Sequence, residues 1–369
     1  MALIKPELTE DIKKYGSFDF TACYNCGNST AVCNLTEKDA NFPRMMIRYS
    51  MLGMKEEILS SKELWLCYAC GDCSVACPRE AAPGDLMAGL RRYSIAHYEK
   101  TGLTKLIFKS NWVSVVVTLI LSVILGFFLL TVKPEMAVSR WIFQYVPYEI
   151  IHNLGIVAFA VMGLSALAGV LVMWKNLLKK GVRKSDKKFF PRFYEAFLKV
   201  LSEVSTMKRY RNCEAEDSFW NTKPWNVKPW FVHWSVMWGF IGLLMATILD
   251  FMFKDPSTDI WWPSRILGTA AGLLMVYGSS LALYYRIVRI SRSYANTRLA
   301  DWMFLCFLWL AGVTGFWLEL AVTFDAGMFV NHIVFLVHII ISMQLVILFA
   351  FSKFAHAFYR PLALMMHYY

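Results

Sequence analysis

Cys67-Tyr68-Ala69-Cys70-Gly71-Asp72-Cys73-Ser74-Val75-Ala76-Cys77-Pro78 has the spacing C-x2-C-x2-C-x3-C-P. In that run three thiolates hold one iron–sulfur cubane and the fourth belongs to a second cluster. An earlier stretch, from Cys23-Tyr24-Asn25-Cys26-Gly27 to Ser29, Cys33 and Asn34, repeats the frame, with Ser29 in place of the third cysteine and Asn34 in place of proline. If each run gives its first three ligands to one cluster and its last to the other, Cys67, Cys70, Cys73 and Cys33 hold one 4Fe–4S cluster. Cys23, Cys26 and Cys77 then hold the second, with whatever stands near Ser29. A serine-ligated cubane, a three-iron cluster and a site closed by water or an external ligand all satisfy that second set. Structural zinc also takes four thiolates, but its sites use separated C-x2-C pairs.

A second group of residues able to do chemistry lies in apolar surroundings. His152, His233, His332, His338 and His356 fall in or beside long apolar runs, where ionisable groups are costly and tend to be functional. His97 and His367 lie outside these runs and are expected to be solvated. His338 and His356 are 18 residues apart, which on one continuous helix is five whole turns, one face and about 27 Å. By depth, His233 pairs with His356 near the inner surface and His152 with His338 near the outer one. Each pair can hold a b-type haem through two axial imidazoles. His332 points about 120° off the shared face and is left out as a haem ligand.

The elements that carry these residues follow from composition. The 369-residue chain is 57% apolar, too hydrophobic for an ordinary soluble enzyme, and has runs near 20 residues at about 111–132, 149–174, 230–252, 264–286, 302–324 and 331–352. These are six expected membrane spans. Residues 1–109 are polar and hold seven of the nine cysteines, leaving Cys213 and Cys306 apart. The expected fold is all-α: a cytoplasmic α-helical ferredoxin domain over 1–109, then a transmembrane cytochrome b bundle over 110–369 with a cytoplasmic loop at 175–229. Within these, 44–59 and 83–100 have helical period. In the loop, Phe193, Phe197, Val200, Leu201 and Val204 share a helix face expected to lie on the membrane.

Charge orients the bundle. Charges run through Met1 to Phe20, unlike a secretory signal. Lys179, Lys180, Arg183, Lys184, Lys187, Lys188, Arg192, Lys208, Arg209 and Arg211 crowd the 175–229 loop, and Arg286, Arg289, Arg292 and Arg298 follow the fourth span. The opposite loops hold only Lys133, Arg140 and Lys254. The positive-inside rule therefore places both termini on the cytoplasmic side of the inner membrane. The net charge of +11 reflects this topology and not a nucleic-acid partner.

Residues 20–100 resemble the iron–sulfur domain of the C subunits of heterodisulfide reductases. Residues 149–358 resemble the gamma subunits of respiratory nitrate reductases, in which one late helix carries two haem histidines. The fusion, through Cys67–Pro78, the stretch from His233 to Phe240 and His338/His356, resembles the C subunits of quinone-interacting membrane-bound oxidoreductase complexes of sulfate reducers and related sulfur bacteria. Two departures stand out: Ser29, and Leu243 where that family's third-span helix has a second histidine.

The resemblance implies electron transfer between menaquinone and soluble flavin/iron–sulfur subunits like the A subunits of heterodisulfide reductases, and onward to adenylylsulfate reductase. It implies no independent active site for a soluble substrate. A quinone pocket needs a polar group that exchanges protons near a haem, and Glu149, Glu319, Asp325 and His332 are within reach of the outer level. The other readings are the membrane subunit of another heterodisulfide-reductase-like complex, and a zinc-stabilised membrane scaffold without redox activity.

Overall fold

The computed structural model describes residues 4–16, 20–36, 41–131, 141–179, 189–211, 219–253, 263–291, 294 and 296–369. Cys213 and the basic residues Lys133, Arg140, Lys180, Arg183, Lys184, Lys187, Lys188, Lys254 and Arg292 lie outside the described residues. Among the described residues the secondary structure is helical, without strands.

The N-terminal part consists of short helices: α1 (Leu8–Lys13), α2 (Asn28–Ala31), α3 (Arg44–Met51), α4 (Lys55–Leu59), α5 (Glu63–Leu66), α6 (Asp72–Val75), α7 (Pro83–Tyr98) and α8 (Leu103–Lys109). The periodic 44–59 segment is two helices. Gly53 turns the chain between them at φ +65°, and a Cβ there would lie 1.7 Å from the Lys5 carbonyl oxygen. Only glycine accepts both the left-handed backbone and that approach.

The rest comprises α9 (Asn111–Thr131), α10 (Tyr148–Lys179), α11 (Phe189–Thr206), α12 (Lys208–Arg211), α13 (Pro229–Phe253), α14 (Pro263–Val288), α15 (Leu299–Thr323), α16 (Phe329–Ile347) and α17 (His356–Tyr368). Six of these, α9, α10, α13, α14, α15 and α16, are long and apolar enough to cross a membrane. α13 and α14 approach closely through small residues. A Cβ at Gly239 would stand 2.6 Å from the Met275 nitrogen, and one at Gly278 would stand 2.9 Å from the Val232 carbonyl oxygen. Small residues let helix backbones come together where lipid offers no hydrophobic drive.

α10, at 32 residues, is about 48 Å long, more than a bilayer core requires. Its C-terminal turns pack on α4 and α7. One buried core accordingly runs from Trp65, Leu86, Leu90, Tyr93 and Tyr98 through Met173 and Leu177 of α10 to Tyr359 and Ala363 of α17.

One expectation is corrected. The last span ends at Ile347, so His338 and His356 do not share one continuous helix. Phe349, Ala350 and Phe351 are all buried, and successive residues of an α-helix cannot all face one core. The chain instead leaves the helix through i→i−3 bonds from the N–H of Phe349 to Val346 O and of Phe351 to Leu348 O, and Ser352 caps the next turn. The loop helix forms as expected, over Phe189–Thr206. α11 buries Ala196, Val200 and Glu203 and leaves Phe193, Phe197 and Leu201 exposed. Val200 packs on Leu66 and Leu364, and the indole N–H groups of Trp234 and Trp238 donate to Ser205 O.

Candidate functional site

The two cysteine runs fold as loops of one shape. Asn25 and Ala69, third in each loop, have φ of 67° and 57°, and Gly27 and Gly71 follow at 96° and 95°. α2 and α6 start immediately after those glycines. The left-handed turns let backbone N–H groups face sulfur: Asn25 donates to Cys23 Sγ and Ala69 to Cys67 Sγ, each at 3.4 Å. Ala81 donates likewise to Cys77 Sγ at 3.4 Å. Such bonds stabilise thiolates and tune a bound cluster.

Cys33, Cys67, Cys70 and Cys73 line one recess of about 430 Å³, open solvent included, closed by Phe42 and Met87. Cys23, Cys26, Cys77 and Ser29 line a second, of about 280 Å³, with Asn25 and Arg44. Cys33 thus leaves its own run to face the other three. Burial pushes its thiol up to about 11 and that of Cys73 higher still, so four thiolates at one recess need a compensating positive centre. The donor set suits an iron–sulfur cubane. At the second recess Cys26 is exposed, and Arg44 Nε donates to Asn25 Oδ1 at 2.6 Å. Arg91 steadies the Cys67 loop from α7, donating to Cys67 O at 2.8 Å and Leu64 O at 3.2 Å.

Beside this domain His233 of α13 and His356 of α17 face one another, ring centroids 6.0 Å apart and planes at 63°. With metal–imidazole bonds of about 2 Å, one ion fits between two such rings. His356 Nδ1 lies 2.8 Å from Lys353 O, and donation there leaves Nε2 with its lone pair. Burial first, then His233, lowers His356 to about 3, which keeps it the neutral imidazole a metal requires.

His152 and His338 are not in ring contact. His152 stacks on Phe251 at 4.1 Å, and His338 Nδ1 lies 2.9 Å from Thr314 Oγ1. The four residues considered for a quinone make no hydrogen bonds to one another among the described residues. Glu149 and Asp325 are exposed. Glu319 accepts from Thr269 at 2.6 Å, and His332 is buried edge-on to Trp141 and Tyr145 with Nδ1 unpartnered. Cys306 is half-buried within α15.

Several residues that no motif marks also meet at the site. Tyr68 Oη donates to Glu203, and the Tyr68 ring lies under the Arg360 guanidinium at 3.6 Å and against Tyr210 at 5.1 Å. Arg92 of α7 meets Asp301 of α15. His97 and His367 are half-buried and hydrogen-bonded: His97 Nδ1 lies 2.7 Å from Tyr93 O, and His367 Nε2 lies 2.7 Å from Arg209 Nη2. A tyrosine at the same place in both cysteine runs was the one legible signal among these.

Residues 19–81 match the family described as 4Fe-4S dicluster domain. The chain is 33% identical over 84 residues to the C subunit of the H(2):CoB-CoM heterodisulfide,ferredoxin reductase of Methanothermobacter thermautotrophicus, covering 23% of this chain and 45% of that protein. It is 28% identical over 96 residues to a protein of Archaeoglobus profundus described as similar to the C subunit of heterodisulfide reductase, 26% of this chain and 51% of the relative. The chain thus spans about half the length of these relatives. Citrate utilization protein B of Escherichia coli is 26% identical over 323 residues, 81% of this chain and 80% of its own. No solved structure matches. The N-terminal segment is therefore similar to the C subunits of heterodisulfide reductases and matches a 4Fe–4S dicluster domain, and among the described residues six helices able to span a membrane follow it.

Proposed function

We propose that the chain is the membrane electron-transfer subunit of an oxidoreductase complex, passing electrons between a membrane quinol and soluble heterodisulfide-reductase-like partners. The observation that carries this reading is the His233/His356 pair, 6.0 Å between rings, beside the cysteine loops. A b-type haem bound there supplies a one-electron couple. His356 Nε2 and the His233 imidazole would hold it, with Lys353 O fixing the His356 tautomer. Arg360 and Lys353 bring positive charge to the pair, which suits propionate groups.

Cys33, Cys67, Cys70 and Cys73 ligate one 4Fe–4S cluster, and Cys23, Cys26 and Cys77 hold the second beside Ser29. His152 and His338, whose rings contact Phe251 and Thr314, are offered for a second, outer haem on their depth in the sequence alone, while the inner pair also has ring geometry behind it. Menaquinone as substrate, flavin/iron–sulfur partner subunits and adenylylsulfate reductase as the soluble enzyme served come from the sequence resemblance. His332, Glu319, Asp325 and Glu149 are the polar groups offered for quinone chemistry. The inner-membrane location and cytoplasmic termini rest on the positive-inside rule.

The alignment with citrate utilization protein B runs over most of both chains and favours a second reading of the partner. In it, the same two-part chain serves citrate utilization. Reconstitution with each candidate soluble enzyme separates the two.

The function itself is tested on the purified full chain in detergent. Iron content, EPR and dithionite-reduced spectra are expected to show clusters and a b-type band, the band being lost in His356→Ala and His233→Ala, and a menaquinol analogue is expected to reduce the wild-type haem. An iron-free, zinc-containing chain sinks the reading, as does a b-type band unchanged in both variants.

A further inference from the structure

We propose that Tyr68 and Tyr210 form the electronic bridge between the cluster held by Cys33, Cys67, Cys70 and Cys73 and the His233/His356 pair. The inference rests on the cofactor assignment proposed above. Tyr68 belongs to the cysteine loop itself, one residue after Cys67. Its ring stacks on Tyr210 with centroids 5.1 Å apart and planes at 15°. The Tyr210 ring stands edge-on to His233 at 6.1 Å and 80°, and His233 faces His356 at 6.0 Å. Stacked and edge-on rings at these separations are in contact. Electron transfer through protein weakens steeply with every gap between atoms, so an unbroken series of packed rings is the favoured route.

The bridge is held from three sides. Tyr68 Oη donates to Glu203, which α11 buries. The same carboxylate accepts the Arg209 N–H at 3.2 and 3.3 Å, fixing the backbone next to Tyr210. Arg360, one turn beyond His356, covers the Tyr68 ring and donates to Leu66 O at 3.3 Å. One carboxylate and one guanidinium thus hold the cluster loop, both tyrosines and the histidine helix in register.

The first cysteine loop supplies an internal control. Tyr24 occupies the equivalent position, yet it is 58% exposed and no ring packs on it among the described residues. A rival route exists through Trp65 and Tyr359, whose rings are 5.1 Å apart and buried. In the proposed step one electron crosses: iron(II) between the imidazoles is oxidised to iron(III) as the cluster is reduced by one electron, or the reverse. No bond forms or breaks. The phenolic protons stay in place, because the tyrosines carry no charge of their own.

The test uses the full chain in detergent, with the cluster photoreduced and the haem band followed in time. Cluster EPR and haem spectra are recorded for every variant. Tyr68→Leu and Tyr210→Leu are expected to slow haem reduction several-fold with both cofactor signatures intact, and Tyr68→Phe, which keeps the ring, to recover most of the rate. Tyr24→Leu is expected to leave it unchanged. Should Tyr68→Leu lose its cluster signal, Tyr210→Leu, outside the cysteine loop, decides. Wild-type rates in Tyr210→Leu overturn the bridge, as does slowing in Trp65→Leu without slowing in the tyrosine variants. A wild-type chain without a haem band overturns the cofactor assignment, and the bridge with it.

Discussion

Arg92 Nη2 of the cysteine-bearing domain lies 2.6 Å from Asp301 Oδ2 of α15, with 5% and 4% of the two side chains exposed. Arg92 also donates to Tyr15 O at 2.9 Å, and Lys353 Nζ lies 3.8 Å from the same Asp301 oxygen. The pair therefore joins the N-terminal helices, a membrane-type helix and the turn that precedes His356. Removing one partner leaves a buried charge uncompensated, at about 3–5 kcal/mol. Asp301→Ala is expected to lower the detergent melting temperature and expose the junction near Ser110 to protease. The double variant Arg92→Met, Asp301→Leu is expected to recover much of the loss. A single variant as stable as the wild type refutes the anchoring role.

Crossed ligation makes a prediction about which cysteines act together. Cys33 belongs to the first run but lines the recess of Cys67, Cys70 and Cys73. Cys33→Ala is expected to remove the same EPR signal as Cys73→Ala, and Cys77→Ala the same signal as Cys23→Ala. Pairing of Cys33 with Cys23 instead would contradict the arrangement.

At the α13–α14 contact a Cβ on Gly239 would meet the Met275 nitrogen at 2.6 Å and the Ala271 carbonyl oxygen at 2.8 Å, both backbone atoms that cannot swing aside. Gly239→Ala is expected to destabilise by about 1–3 kcal/mol through overpacking. Gly163→Ala, with nothing within 4 Å, is the matched control. Denaturation midpoints of the two variants decide the matter, and equal midpoints would count against close helix approach.

His97 packs on Tyr93 at 4.0 Å, and burial lowers its ionisation to about 4, with Lys55 among the charges opposing the protonated form. The ordinary value is 6.5, so between pH 6.5 and about 4 the unfolded chain binds more protons than the folded one. The contribution is complete above pH 6.5 and is lost on acidification toward pH 4, up to about 3 kcal/mol. Melting temperatures at pH 7.5 and 5 are expected to differ more in the wild type than in His97→Gln. An equal acid-induced drop in both chains would remove His97 from the account.

Much was legible from spacing and hydropathy. The two cysteine runs, the six apolar helices and the surface helix of the loop follow from local rules: fixed ligand intervals, a bilayer's thickness and the period of a helix. Geometry between distant segments followed no such rule. Continuing the last span through His356 assumed that periodicity persists, but burial of Phe349, Ala350 and Phe351 together ends the helix and starts another at the histidine.

Tyr24 and Tyr68 show the division most clearly. By itself the sequence determined that each cysteine loop carries a tyrosine at the same position. Only the tertiary structure decided that Tyr68 is stacked, hydrogen-bonded and capped by Arg360 while Tyr24 faces outward. The reason is physical: a motif specifies the backbone of its own loop, whereas Tyr210, Glu203 and Arg360 reach Tyr68 from more than a hundred residues away, through packing that no local pattern encodes.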